Sequence, residues 1–384
     1  MIVHAAPWVV PIAEPPIRDG AVALDGDRVA AVGGRDAIAE LGAVVEHRGV
    51  LMPGTINAHT HLELSHVRVP GGDGLVPWVR RLLATRTPTN VDVARAAAKQ
   101  MAARGTVGAV DITNDGGTAP LWADAGIEAR VLTERIAPRG EPPAMQSAVQ
   151  SALQSALQSA RGRETPHAAY SCGPAALRTL AARNGGRLAS IHVEEDPAEA
   201  AWLVDGAGPF AEFLAERDAL PSVAVPGIRP IAWLDSLGVL GPGTLLVHLT
   251  VADSESLERA ARYGCIAVLC PRSNLHIGRR LPPIGGIRAA GLRVALGTDS
   301  LASCPTLDVL GDAQTLARAG VEPEWLLRAA TAGGAMAMGA AHLGALSVGK
   351  RPGLIAIGDD QQGVRDPVAW IVHEGADAPV RRLA

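Results

Sequence analysis

Eight apolar runs of strand length, spaced along the middle of the chain, constrain the fold more than any other feature. They are GTINAHTH (54–61), GTVGAVDIT (105–113), IEARVLTE (127–134), PHAAYS (166–171), RLASIHVE (187–194), GTLLVHLT (243–250), GCIAVLCP (264–271) and LRVALGTD (292–299). Between most of them lie Ala-, Leu- and Arg-rich stretches of helical character, such as VDVARAAAKQMAAR and SESLERAARYG. Strands that alternate with helices pair in parallel, and eight such units are the number that closes a barrel. An open doubly wound sheet is the rival, but the first strand–helix turn carries no GxGxxG phosphate loop. The expected fold is therefore α/β, a (β/α)8 TIM barrel over residues 51–342.

The two ends read differently. AVALDGDRVAAVGG has the pattern of a hairpin around Asp25-Gly26-Asp27, and LGALSVGKRPGLIAIG is short, Gly-punctuated and β-like. Residues 1–50 and 343–384 are expected to form a small β-sandwich domain assembled from both termini. The four-residue repeat in QSAVQSALQSALQSA (146–160) predicts an Ala/Leu-striped helix with no functional role.

Composition narrows the function classes. At 384 residues, 48% hydrophobic and 19% charged, the chain reads as a soluble globule with a large core. A formal net charge of -4 advertises no surface for polyanions, so no nucleic-acid partner is expected. No stretch approaches the roughly 20 apolar residues that span a bilayer. The N-terminus lacks a basic region followed by an apolar core, so no secretory signal is read there. Four cysteines (Cys172, Cys265, Cys270, Cys304) show no CxxC spacing, which suits a reducing compartment, the cytoplasm.

The chemistry gathers at strand ends. On a strand, residues i and i+2 point to the same side, so Thr55, Asn57, His59 and His61 share one face. His192 ends another run in SIHVEED, His248 the next in LLVHLT, and Asp299 the last in LGTDSLAS. A lone core histidine is usually a satisfied polar group. Five metal-competent side chains at four strand ends, where barrels place their active sites, need another explanation. Imidazole and carboxylate ligands suit one divalent ion, zinc first and iron second. Such an ion lowers the pKa of a water molecule to about 7.

With PGTINAHTHLELS, PHAAYS, HVEE, the strand ending at His248, PRSN and GTDSLAS in this order, nearly the whole chain resembles the amidohydrolase superfamily. Many members hold two metals bridged by a carbamylated lysine on the fourth strand. That strand here has no lysine, and Lys99 and Lys350 are the only lysines in the chain. The resemblance thus implies a mononuclear site, as in the deaminase branch, with His59, His61, His192 and Asp299 as ligands and His248 beside the activated water. The HTHLELS and CPRSN segments are similar to those of the aminodeoxyfutalosine deaminases of an alternative menaquinone pathway, with adenosine and S-adenosylhomocysteine deaminases nearby.

The reaction this resemblance implies is hydrolytic deamination of a 6-aminopurine nucleoside, with Asp299 accepting a proton, His248 orienting the water and a glutamate protonating the ring. The superfamily's His-x-x-Glu spacing selects Glu195, whereas strict strand alternation selects Glu194. His167 is implied to touch the ring, although Ala169 replaces the usual proline of PHAPY. Trp78 resembles an aromatic lid residue, Glu63 is placed to bind a ribose hydroxyl, and Arg272, Ser273 and Asn274 to meet a polar tail. The remaining histidines, among them His4 and His47, read as surface or structural, with His66 and His276 open. The partner expected is a small molecule, and relatives imply a homodimer. The rival readings are a deaminase or chlorohydrolase for guanine, cytosine, pterin or triazine rings, and a non-catalytic barrel scaffold.

Overall fold

The strand-forming runs divide into a sheet built from both termini and two parallel sheets between them. The computed structural model describes residues 1–114, 116–138, 163–220 and 224–384; the helix expected over 146–160 lies outside them. The terminal strands are β1 (Ile2–Val9), β2 (Ile17–Asp25), β3 (Arg28–Gly34), β4 (Ala43–Glu46) and β5 (Val50–Pro53). The central ones are β6 (Thr55–Thr60), β7 (Thr106–Thr113), β8 (Glu128–Arg135), β9 (Arg163–Pro166), β10 (Ala189–Val193), β11 (Thr244–His248), β12 (Ile266–Leu269) and β13 (Arg293–Leu296). From the C-terminal end come β14 (Leu354–Ile357) and β15 (Val380–Arg382).

The terminal sheet runs β15-β14-β5-β1-β2-β3, with β4 paired to β1. Its β2–β3 hairpin turns at Gly26, whose φ of +61° suits a residue without a Cβ, and Asp25 pairs with Arg28 across it. The segment between β14 and β15 is helical at Pro367–Glu374. Asp366 caps it by accepting the N–H groups of Val368 and Ala369, and it buries Val368, Ile371 and Val372.

The central strands form two parallel sheets, β6-β7-β8-β9 and β10-β11-β12-β13. Isolated parallel bridges, Thr60 to Asp299 and Ala168 to His192, connect the edges of one to the edges of the other. Every residue of β6, β7, β10, β11 and β12 is buried. That suits parallel strands covered on both faces, which read as near-continuous apolar runs. The fourth central strand differs from its expected span. It ends at Pro166, which offers no N–H to the ladder, and PHAAYS forms the strand's exit. No described helix is long and apolar enough to cross a membrane.

Candidate active site

Four strand-end side chains converge on one point. One ligand atom each from His59, His61, His192 and Asp299 lies within 4.8 Å of the others, and all four residues are buried. His61 Nε2 is 3.3 Å from His192 Nε2 and 3.5 Å from Asp299 Oδ1. His59 Nε2 lies 3.9 Å from that same oxygen and is buried with no hydrogen-bond partner. An orphaned, buried ring nitrogen is unfavourable unless something binds it. Burial pulls His59 well below its ordinary pKa and His192 to about 4, which keeps both imidazoles in the neutral form that ligates metals. Three ring nitrogens and a carboxylate, one nitrogen unpaired, fit a divalent ion of the zinc type.

The backbone explains the convergence. The N–H groups of Thr298 and Asp299 donate to His59 O at 3.0 and 3.1 Å, and Thr60 Oγ1 donates to Asp299 O at 3.0 Å. Gly297 permits this approach, since a Cβ there would lie 2.9 Å from the Cβ of His59. His248 and Asp299 take φ values of +79° and +60°, a region that residues other than glycine rarely enter. Glu194, His248, Leu249 and Asp299, at these strand exits, are four of the eight non-glycine residues with positive φ among the described residues.

Neighbouring polar groups fix His59, His192, His248 and Asp299. Ser190 Oγ lies 3.3 Å from His59 Nδ1, and His192 Nδ1 is 2.9 Å from the carbonyl oxygen of His167. The hydroxyls of Ser273 and Ser303 both donate to Asp299 Oδ2 at 2.7 Å, which leaves Oδ1 to face the imidazoles. The amide of Asn274 lies 2.8 Å from His248 Nδ1, and the far side of that ring, Nε2, is 3.6 Å from Glu195 Oε1. Contacts of this kind set tautomer and orientation in metal sites.

The two adjacent glutamates separate sharply. Glu194 follows the last residue of β10 and takes φ +50°, which breaks strand alternation. Its buried carboxylate accepts from Ser256 Oγ at 3.0 Å and lies 3.3 Å from Arg229 Nη2. Glu195 instead lines the cavity beside His248. Burial, then the charges of Asp299, Glu199 and Asp196, push its carboxyl well above the usual range.

The cavity in front of these residues encloses about 1090 Å³ of empty space, its open mouth included. His61, His192, His248, Glu195 and Asp299 form its inner end. Leu75, Trp78, Val79, Leu82 and Leu83, from the helix Leu75–Thr85, make one wall, and Ile136, Phe213 and Leu214 another. Arg86 and Arg217 are the cations of its lining.

The structure brings some sequence-derived candidates into this cavity and places others outside it. His167 lines it, with Nδ1 2.6 Å from Ser171 Oγ. Trp78 lines it with its buried Nε1 unpartnered. Glu63 does not line it. Its carboxylate is saturated by Thr113 Oγ1 at 2.7 Å, Asn114 N at 2.8 Å, Asn114 Nδ2 at 2.5 Å and Arg86 Nη2 at 2.6 Å, so no lone pair is left for a ribose hydroxyl. Arg272 also turns away, pairing with Asp312 at 2.8 Å and donating to the carbonyls of Thr306 and Asp308. Ser273 and Asn274 meet Asp299 and His248 rather than a substrate tail. His66 bonds Thr87, His276 bonds the Val69 carbonyl, and His4 and His47 form a buried pair at 2.9 Å.

Sequence reasoning passed over Glu134. It ends the third strand run, so the rule that found the histidines also finds it. Its buried Oε1 has no partner and lies 3.8 Å from His192 Nδ1. Glu134, His167 and His192 also group within 4.8 Å, but His192 Nδ1 is already engaged with the His167 carbonyl. Tyr170, Arg86, Asn114 and Phe213 were missed as well; among these only Tyr170, inside PHAAYS, sits in a segment the sequence had marked.

Residues 50–372 match the model of the amidohydrolase family, and the chain belongs to that family. It is a hydrolase acting on carbon–nitrogen bonds. Among its relatives is the aminodeoxyfutalosine deaminase of Deinococcus radiodurans, 31% identical over 348 residues that cover 83% of this chain and 81% of that protein. The 5-methylthioadenosine/S-adenosylhomocysteine deaminase of Syntrophobacter fumaroxidans is 28% identical, covering 94% of this chain and 86% of that one. In fold, the chain is similar to a zinc-bound adenosine deaminase from Xanthomonas campestris, with a TM-score of 0.78 and 24% identity over 97% of this chain and 88% of that one.

Proposed function

We propose that this chain hydrolytically deaminates a 6-aminopurine nucleoside, with aminodeoxyfutalosine as the substrate, and that His59, His61, His192 and Asp299 hold one zinc ion. In this reading the two parallel sheets act as one eight-stranded barrel, residues 51–342, and the terminal sheet is a separate unit. The observation that carries it is one juxtaposition. Four ligand atoms lie within 4.8 Å at the end of a cavity where Glu195 is buried 3.6 Å from His248.

Zinc, when bound, supplies Lewis-acid activation of water at neutral pH. The chain's own residues do the rest. Asp299, whose Oδ2 is held by two serines while Oδ1 faces the imidazoles, takes up the proton that the attacking water gives off. His248, oriented by Asn274, holds the nucleophile against the ring carbon that bears the amine. Glu195, driven toward its protonated form by burial, donates to the adjacent ring nitrogen; Asp299 hands its proton on to the departing amine, and the proton of the added hydroxyl returns to Glu195 as ammonia leaves. The apolar walls from Trp78, Leu82 and Phe213 exclude water and take the nucleoside's 5′ substituent.

That apolar outer wall supports a nucleoside with a 5′-deoxy, non-hydroxyl substituent over adenosine itself, and the relatives that act on such nucleosides support it too. A panel of aminodeoxyfutalosine, methylthioadenosine, S-adenosylhomocysteine, adenosine, guanine and cytosine, followed by ammonia release, tests it. The expected order has aminodeoxyfutalosine fastest by kcat/KM. Turnover of free bases alone overturns the nucleoside reading. A preference for methylthioadenosine keeps the reaction and replaces the substrate.

A further inference from the structure

We infer that Glu199 is a positioning residue for the reaction, holding Glu195 in place through a hydrogen bond to its main chain. This rests on the reading of Glu195 as the proton carrier.

The sequence Asp196-Pro197-Ala198-Glu199 has the form of a helix start. Asp196 is the N-cap of the helix Pro197–Asp205 and accepts the N–H of Ala198 at 2.9 Å. A glutamate three residues after the cap ordinarily reaches back to the cap's own N–H. Here it reaches one residue further: the N–H of Glu195 donates to Glu199 Oε2 at 2.9 Å. The capping group of a helix has thereby become an anchor for a residue of the cavity.

The anchor matters because the Glu195 carboxylate faces His248 Nε2 at 3.6 Å, beyond hydrogen-bond reach, so its direction is set through its main chain. The chain leaves β10 through Glu194 at φ +50°, so regular strand pairing no longer dictates the direction of the next side chain. Thr250 Oγ1 donates to the Glu195 carbonyl, and the Glu194 carbonyl of the preceding peptide accepts the N–H of Val251 at 3.0 Å. Glu199 on the N–H and Thr250 on the carbonyl hold the residue from both sides. Glu199 is fully buried, and its Oε1 has no partner. A group whose burial is this unfavourable is better placed for position than for stability. Burial pushes its carboxyl up to about 8, so a neutral amide reproduces its charge near pH 7.

The test compares Glu199→Gln with Glu199→Met in the zinc-loaded protein. Both fill the same space, but only glutamine keeps an acceptor for the Glu195 N–H. Methionine also removes a buried carboxyl with one oxygen unpartnered, which offsets the loss of its bond to the Glu195 N–H, so the fold should tolerate it. Activity is measured on aminodeoxyfutalosine or methylthioadenosine, whichever the parent chain deaminates, with Glu195→Gln alongside. The expected result is a loss in kcat of about tenfold or more for Glu199→Met. KM and zinc content should stay within about twofold, and Glu199→Gln should keep kcat within about threefold. Full activity in Glu199→Met overturns the inference, as does equal damage in both variants or a parallel rise in KM. Glu195→Gln separates the two levels. If it remains active, the role of Glu195 falls; if it is inactive while Glu199→Met is active, only the role of Glu199 falls.

Discussion

The inner and outer ends of the cavity are built on opposite principles. At the inner end Asp299, His248 and His192 are held by directional bonds: two serine hydroxyls on Asp299, an amide on His248, a carbonyl on His192. At the outer end the wall is one face of the helix Leu75–Thr85 and the rings and methyls of Phe213, Leu214 and Ile136, with Arg217 5.7 Å from the Phe213 ring centre. Hydrogen bonds fail when geometry changes by a fraction of an ångström, whereas apolar contact is non-directional and tolerates exchange. In the proposed reading the inner end fixes the reaction, and the outer end decides what is brought to it.

The largest expected effect tests the inner end. Glu195→Gln should keep its zinc, measured by metal analysis, and lose about 10²–10⁴-fold in kcat. A variant with parent-like turnover would remove the central step. Asn274→Ala should cost about 10–100-fold in kcat, as outer contacts of metal sites do, with the cavity wall unchanged. At the outer end, Trp78→Ala should raise KM about tenfold, roughly 1.4 kcal/mol of lost apolar contact, and leave kcat within about threefold. If kcat falls as far as KM rises, the division between the two ends is not real.

The smallest effect lies in the terminal sheet. Burial, then repulsion from His4, lowers His47 to about 4. Its folded-state pKa is thus below the ordinary 6.5, so the unfolded chain takes up the proton first as pH falls. The stability concerned is present above about pH 6.5 and is lost progressively toward pH 4. His47→Gln should flatten part of that slope in melting curves from pH 7 to 4 and leave kcat untouched. An unchanged slope would show that the pair has no such role.

The metal-binding residues were readable because strand ends are fixed points in a repeating βα pattern. The period of the runs and the chemistry of the side chains gave His59, His61, His192, His248 and Asp299, and the resemblance to the deaminase branch set His248 apart from the other four. Glu194 and Glu195 could not be told apart from alternation, because a φ of +50° at Glu194 ends the alternation there. The PRSN segment was readable as part of the site but not in its role. It opens the helix Pro271–Gly278, and the helical turn directs Ser273 and Asn274 at Asp299 and His248 while Arg272 pairs with Asp312. Glu63 lies two residues after His61, yet the 3-10 turn Leu62–Leu64 carries it under the wall, where four donors close around it. Positions set by strand periodicity show in a sequence, and those set by a short turn do not.

Asp196 bears on how the cavity can open. Besides capping its own helix, its Oδ2 accepts the N–H of Leu75, the first residue of the helix that carries Trp78. An outward swing of that helix at its start must give up this bond, at a net cost of about 1 kcal/mol, and the pull falls on the residue next to Glu195. Admitting a bulkier guest past the tryptophan and holding the residue beside Asp196 still are, in this architecture, competing demands on a single carboxylate.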